Sequence, residues 1–335
     1  MISGTLVTHH HKWELVAPPF EERGGSIDAL DLDTDALGTF AGDVPRPFSP
    51  IETARRKALL GAPLSSRPWL LSSEGTMSMY LGIIPLDSEI VVACHQPDEV
   101  LIVGRAHSHD IVSLATEIST SASDTDIEMV ANRADFPRHH VVVAVPTHRL
   151  APQRAISSRD ELARALRRAA QVSDRAQVFT DYRAHLCPSR QLVIRAAATN
   201  LAEILATTCP RCDRGGFHAN SPVTGAPCGD CGRPTSHPRA DRFLCPWCGV
   251  EEIRARSVVT ADPTNCDWCN PSLTPHASAG CVPLGPSRHL VVPATPRWSV
   301  HDVVAHLAGA VEDCLDKCFI FGVTETPLDE LSPAL

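Results

Sequence analysis

Four Cys-x-x-Cys pairs crowded between Cys209 and Cys269 constrain this chain more than any other feature. CPRC (209–212) and CGDC (228–231) are separated by fifteen residues, CPWC (245–248) and CDWC (266–269) by seventeen. Both intervals match the two-knuckle spacing of a tetrahedral metal site. Each pair wraps two thiolates around one side of the ion, and a second pair closes the other. Four thiolates leave no open coordination position. The expectation is therefore two structural Zn²⁺ ions held by Cys209, Cys212, Cys228, Cys231, Cys245, Cys248, Cys266 and Cys269, with iron the competing metal for an all-sulfur site. Gly232 and Gly249, directly after their pairs, suit the tight knuckle turn. Sequential pairing, first with second and third with fourth, is the simpler arrangement, and cross-braced pairing stays open.

Eight of the thirteen cysteines fall in these pairs, which in a 335-residue chain points to metal and a reducing compartment rather than a disulfide framework. The start, MISGTLVTHHHKWELV, lacks a basic, apolar secretory pattern, and no window reaches the roughly 18 apolar residues of a membrane span. A cytoplasmic protein without a membrane partner is expected. Cys94, Cys187, Cys281, Cys314 and Cys318 read as ordinary thiols.

The net charge of −9 is concentrated in residues 1–150, where 11 Lys/Arg face 20 Asp/Glu. Residues 207–270 balance seven arginines against seven acids, and two Cys₄ zinc sites add further negative charge. Nucleic acid is thus a disfavoured partner, since nonspecific affinity rests on a basic footprint.

Periodicity gives the organisation. TLVTHH (5–10) reads as a strand. An amphipathic stretch from Lys12 to about Arg23 follows, bent by Pro18 and Pro19, and then a strand near 26–32. SPIETARRKALLG (49–61) carries the marks of a helix: Ser49 as N-cap, Pro50 as its first residue, Glu52 as capping-box partner and Gly61 as stop. WLLSS (69–73), EIVVAC (89–94), EVLIVGR (99–105) and HHVVVAVP (139–146) read as strands, the second and third forming a hairpin around QPD. SRDELARALRRAAQVS (158–173) and about 190–207 read as helices, as does SVHDVVAHLAGAVEDCL (299–315). The fold class expected is an α/β N-terminal domain (1–150) that would hold any active site. After it come a helical middle (151–207), tandem ribbons (208–271), a Pro-rich connection (272–297) and a helical tail (298–335).

The ordered motifs VTHHHKWELVAPPF, DTDALGTFAGDVPRPFSPIETARRKALLG, LSSEGT, TDYRAHLCPSR, CPRC and CDWCNP resemble a bacterial family catalogued as a domain of unknown function, over roughly residues 4–271. That family usually continues the Glu-Gly motif as a Ser-Phe-Gly-Pro-His-Pro run, whereas here MSMYLG follows Thr76. Within it, the first 150 residues are similar to inosine-triphosphate-pyrophosphatase-like enzymes at Thr8, His10 and Lys12, at Glu52, Lys57 and Ala58, and at Glu74 with Gly75. This resemblance implies magnesium held by Glu52 and Glu74, phosphate contacted by Lys12, and assistance from Asp33 or Asp35. Thr8, His10, Arg183 and His185 are further candidates for substrate contact. Each has a plain rival: Glu52 as a cap, Lys12 as a solvated lysine, Asp31, Asp33 and Asp35 as an acidic loop, Asp181 with Arg183 as a structural pair. His9, His10 and His11 cannot all face one metal from a strand. Residues 292–315 resemble the opening helix of the mycothiol-dependent maleylpyruvate isomerase N-terminal family, where the position of His306 is a metal ligand; the later helices that would complete that site are missing, as in a truncated fusion.

The function expected is that of a zinc-binding protein acting as a magnesium-dependent hydrolase of a nucleotide-like phosphoanhydride. The alternative is a non-catalytic zinc-ribbon protein that binds a partner.

Overall fold

The computed structural model describes residues 2–9, 12–38, 47–80, 84–257 and 260–270. The expected tail helix with His306 and the Pro-rich connection lie outside the described residues, as do His10 and His11. The chain divides into two compact units, residues 1–217 with 246–248, and residues 218–245 with 249 onward.

The first unit contains two sheets. Strands β1 (Ser3–Thr8), β2 (Ser26–Asp31), β3 (Trp69–Tyr80), β4 (Ile84–His95) and β5 (Val100–Ser108) form one, in the order β2-β1-β3-β4-β5. β1 runs parallel to both β2 and β3, while β3, β4 and β5 form an antiparallel meander. Two short helices, α1 (Trp13–Val16) and α2 (Pro18–Glu21), join β1 to β2. The break between them falls at Ala17, ahead of the two prolines that cannot donate into a continuing helix.

Side-chain alternation along β3 and β4 sends residues to two faces. Leu71, Val91 and Ala93 pack with Ile194, Ala197, Ala198 and Leu201 of the long helix α6 (Pro188–Ala206). Leu70, Ile90, Val92 and Cys94 pack with Ala54 and Ala58 of α3 (Pro50–Leu59) on the other face. The result is a three-layer α/β/α body.

The second sheet is antiparallel, β6 (Ala115–Ser119), β9 (Arg175–Thr180), β7 (Val141–Ala144) and β8 (Gln153–Ile156) in that order. Leu162 and Leu166 of α5 (Arg159–Ala169) and Ile127 and Val130 of α4 (Asp124–Arg133) cover it. Residues 151–207, expected to be helical, thus hold two strands besides α5 and α6. RAQVFT is too short, and too polar on its exposed face, to stand out between two strong helices.

The second unit is a meander of β10 (His218–Thr224), β11 (Pro238–Leu244) and β12 (Glu251–Ala255). No helix among the described residues is long and apolar enough to cross a membrane.

Candidate functional site

Each cysteine pair sits in a knuckle closed by backbone bonds. Asp213, Gly232 and Gly249 N–H donate to the carbonyls of Cys209, Cys228 and Cys245 at 2.9–3.0 Å. The residue after each of these pairs adopts a positive φ, 58° at Asp213, 70° at Gly232 and 68° at Gly249, and glycine does so without a Cβ clash. Arg211 and Asp230 N–H point at the sulfurs of Cys209 and Cys228 at 3.4 Å.

The knuckles combine in an interleaved order. Cys209, Cys212, Cys245 and Cys248 form one tetrad; Cys228, Cys231, Cys266 and Cys269 form the other, with the sulfurs of each within 4.8 Å of one another. This overturns the sequential pairing expected from spacing. Sulfur separations of 3.7 Å (Cys209–Cys248), 3.8 Å (Cys228–Cys269) and 3.6 Å (Cys231–Cys266) match the edge of about 3.8 Å for a tetrahedron with metal–sulfur bonds of about 2.3 Å. The donor set fits a metal ion held by four thiolates.

A second constellation lies around the carboxyl end of β1, where ligands of open α/β sheets commonly bind. Lys12, in the turn after β1, donates from Nζ to Ser73 Oγ on β3 at 3.1 Å. Next to Ser73, the Glu74 carboxylate accepts from Lys57 Nζ of α3 at 2.6 Å, with both side chains buried. On the opposite face of the sheet, Glu89 of β4 pairs with Arg190 of α6, both fully buried, and Arg190 Nη1 also donates to the Tyr182 carbonyl. Asp87, two residues before Glu89 and on the same face, is fully buried as well. A Cβ at Gly75 would overlap both the Glu89 carboxylate and the Arg190 guanidinium, which explains why glycine follows Glu74.

Burial dominates the electrostatics here. Desolvation, reinforced by the Arg190 cation, lowers Lys12 to about 8; Glu89 and Glu74 oppose the shift, and Lys57 adds to it. Desolvation and the neighbouring Glu89 push Asp87 up to about 8 against the pull of Arg190. For Lys12 the sign is definite. Between pH 8 and 10.5 the unfolded chain binds more protons at this site than the native one, so its contribution to stability rises with pH across that window. The urea midpoint of the wild type is expected to gain on that of Lys12→Met as pH rises from 8 to 10. Parallel profiles would show that Lys12 titrates as an ordinary lysine.

Beside this cluster, Thr8, His9, Trp13, Glu14, Asp31 and His185 line a cavity of about 390 Å³. His9 Nδ1 lies 2.9 Å from Asp31 Oδ1. The fold thus brings the substrate candidates Thr8 and His185 to one cavity, while Lys12 reaches Ser73, the residue before Glu74.

Other expectations are redirected. While Glu74 pairs with Lys57, Glu52 pairs with two arginines of its own helix. Its backbone N–H is capped by Ser49, but its carboxylate turns to Arg55 (2.8 Å) and Arg56 (2.7 Å) instead of closing a capping box. Those two guanidiniums lower it to about 2. Arg183 binds Asp181 in two-pronged fashion at 2.9 and 2.6 Å, and Asp181 also accepts the Ala155 N–H at 3.2 Å. That makes the pair a structural brace. Asp33 is exposed, and Asp35 opens a 3₁₀ turn (Asp35–Leu37).

Asp87, Glu89 and Arg190 escaped the sequence reading. Their one signal was the alternation of two acids, Asp87 and Glu89, leading into an apolar run, an odd choice for a strand buried on both faces.

The fold and its sites define a mixed α/β chain with two Cys₄ metal-binding tetrads and a buried ion cluster. Residues 69–271 match the family model described as Domain of unknown function (DUF6671), more than half of the chain, and the chain belongs to that family. The matched segment includes Glu74, Gly75, Asp87, Glu89, Arg190 and all eight tetrad cysteines, while Lys12 and Lys57 precede it. No curated protein and no solved structure matches the chain, so the further resemblances rest on motifs alone.

Proposed function

We propose that this is a cytoplasmic zinc protein whose two Cys₄ sites are structural and whose α/β unit hydrolyses a nucleotide-like phosphoanhydride with the help of a divalent cation. The observation that supports it is the partly buried Lys12 cation at the carboxyl end of β1, beside three buried carboxylates and a cavity. A lysine held near neutral pKa among carboxylates is costly to stability and suits contact with phosphate oxygens. The test is a nucleoside-triphosphate panel with Mg²⁺. Glu74→Gln is expected to reduce phosphate or pyrophosphate release at least tenfold; equal release from both proteins would remove Glu74 from the mechanism. Metal analysis of the purified chain should return two zinc per chain, and fewer than one would refute the zinc assignment.

A second reading, a ribbon that binds a partner without turnover, is favoured by Ile253 and Trp268 in the second unit. Both are more than half exposed, and Arg233 stacks over the Trp268 ring at 3.7 Å. It predicts no turnover with any nucleotide.

A further inference from the structure

Buried carboxylate oxygens are almost always satisfied by donors or ions, and those that are not call for an explanation. Asp87 Oδ1, Asp87 Oδ2 and Glu89 Oε2 have no hydrogen-bond partner among the described residues, although both residues are fully buried. The two side chains stand at alternate positions of β4 and so share one face. Glu89 Oε1 is taken by Arg190, which leaves three acceptor oxygens on the two neighbouring carboxyls without a donor.

A proton shared by the pair satisfies two of these oxygens and leaves the third bare. A divalent cation satisfies all three. We propose that Asp87 and Glu89 form a Mg²⁺ or Mn²⁺ site. It deepens the hydrolase reading and rests on it for the substrate class. Magnesium is typically held by one or two carboxylates, with substrate phosphates and water filling the remaining positions.

Lys12, Lys57 and Arg190 balance Glu74, Asp87 and Glu89 when all are ionised. The Asp87–Glu89 site also relocates the cation from Glu52 and Glu74, one of which is half-buried beside two arginines and the other neutralised by Lys57.

The test uses the full zinc-loaded chain and Mn²⁺ alone, followed by loss of the free-ion EPR signal. One Mn²⁺ per chain beyond the zinc content is expected, displaced by Mg²⁺, with Asp87→Asn weakening it at least tenfold and Glu52→Gln leaving it unchanged. No Mn²⁺ retained by the wild type, or equal retention by Asp87→Asn, overturns the site. A readout on the wild type guards against a variant that fails to fold. Mn²⁺ should broaden the amide signals of Asp87, Glu89 and Arg190 before those of the exposed acids Asp31 and Asp33; the reverse order also overturns it. Mn²⁺ binding at Asp87 without nucleotide turnover leaves this site standing and removes the hydrolase reading.

Discussion

Replacing Cys228 with serine is expected to release one metal ion per chain and to expose Cys266 and Cys269 to alkylation while Cys209, Cys212 and Cys248 stay protected. The size of the effect follows from what lies inside the second unit. Among its described residues, the buried hydrophobic side chains are Ala226, Ala240 and Ala261 together with Cys228, Cys245 and Cys266. Every residue of β12 is exposed. No large aliphatic or aromatic side chain is fully buried there, so a three-stranded meander of this composition has almost no apolar core of its own. Structural zinc supplies about 10 kcal/mol or more in small modules, far above what three alanines contribute. Chelation should therefore unfold the meander cooperatively, read as collapse of amide dispersion for residues 218–257 and release of the bound metal. Mass spectrometry of the alkylated thiols also tests the pairing. A sequentially paired protein would lose protection at Cys209 and Cys212 instead.

The interleaved pairing follows from the meander. His218 at the start of β10 pairs with Leu244 at the end of β11, and Leu244 pairs in turn with Glu251 at the start of β12. Knuckles one and three therefore border the same end of the sheet. Thr224 pairs with Pro238, and Ala240 with Ala255, so the second knuckle and the chain leading to the fourth leave from the other end. Seven-residue strands hold consecutive knuckles roughly 20 Å apart at about 3.4 Å per residue, which is why sequential neighbours cannot share an ion. Cysteine spacing was legible from the sequence. The pairing depended on the strands between, whose polar and arginine-rich composition gives little strand signal.

The same contrast runs through the first unit. β1, α3, β5, α5 and α6 announce themselves through alternation, caps or a long amphipathic run, because most of their inward side chains serve packing. α4 went unrecognised although Ser123 and Asp126 form a full capping box; aspartate in place of the usual glutamate and a short apolar stripe obscured it. β3 and β4 extend well past their apolar segments, to Tyr80 and back to Ile84. There, buried Ser73, Glu74, Asp87 and Glu89 replace the expected apolar residues. Local pattern fails where polar groups are buried for one another, and only tertiary structure shows that Lys12, Lys57 and Arg190 arrive to meet them.

That mutual dependence predicts the second large effect. Arg190→Met is expected to destabilise the first unit by about 3–5 kcal/mol, because it strips the counter-cation from a carboxylate with no access to water. Glu89 is fully buried, and the remaining cation near it, Lys12, is already lowered by desolvation and donates to Ser73. The Tyr182 carbonyl loses a donor in the same substitution. In a unit of this size each kcal/mol lowers the melting midpoint by roughly 2–4 °C, so a fall on the order of 10 °C should appear in a thermal melt. The loss should be recovered in part by adding Glu89→Gln, which removes the stranded charge and keeps its shape. A double-mutant cycle then isolates the pair: Glu89→Gln alone is costly because Arg190 stays buried without its carboxylate, and the double variant should be less destabilised than the sum of the two single changes by more than 1 kcal/mol. Simple additivity would mean that the two groups do not stabilise one another, and that Arg190 is held by packing and the Tyr182 carbonyl alone.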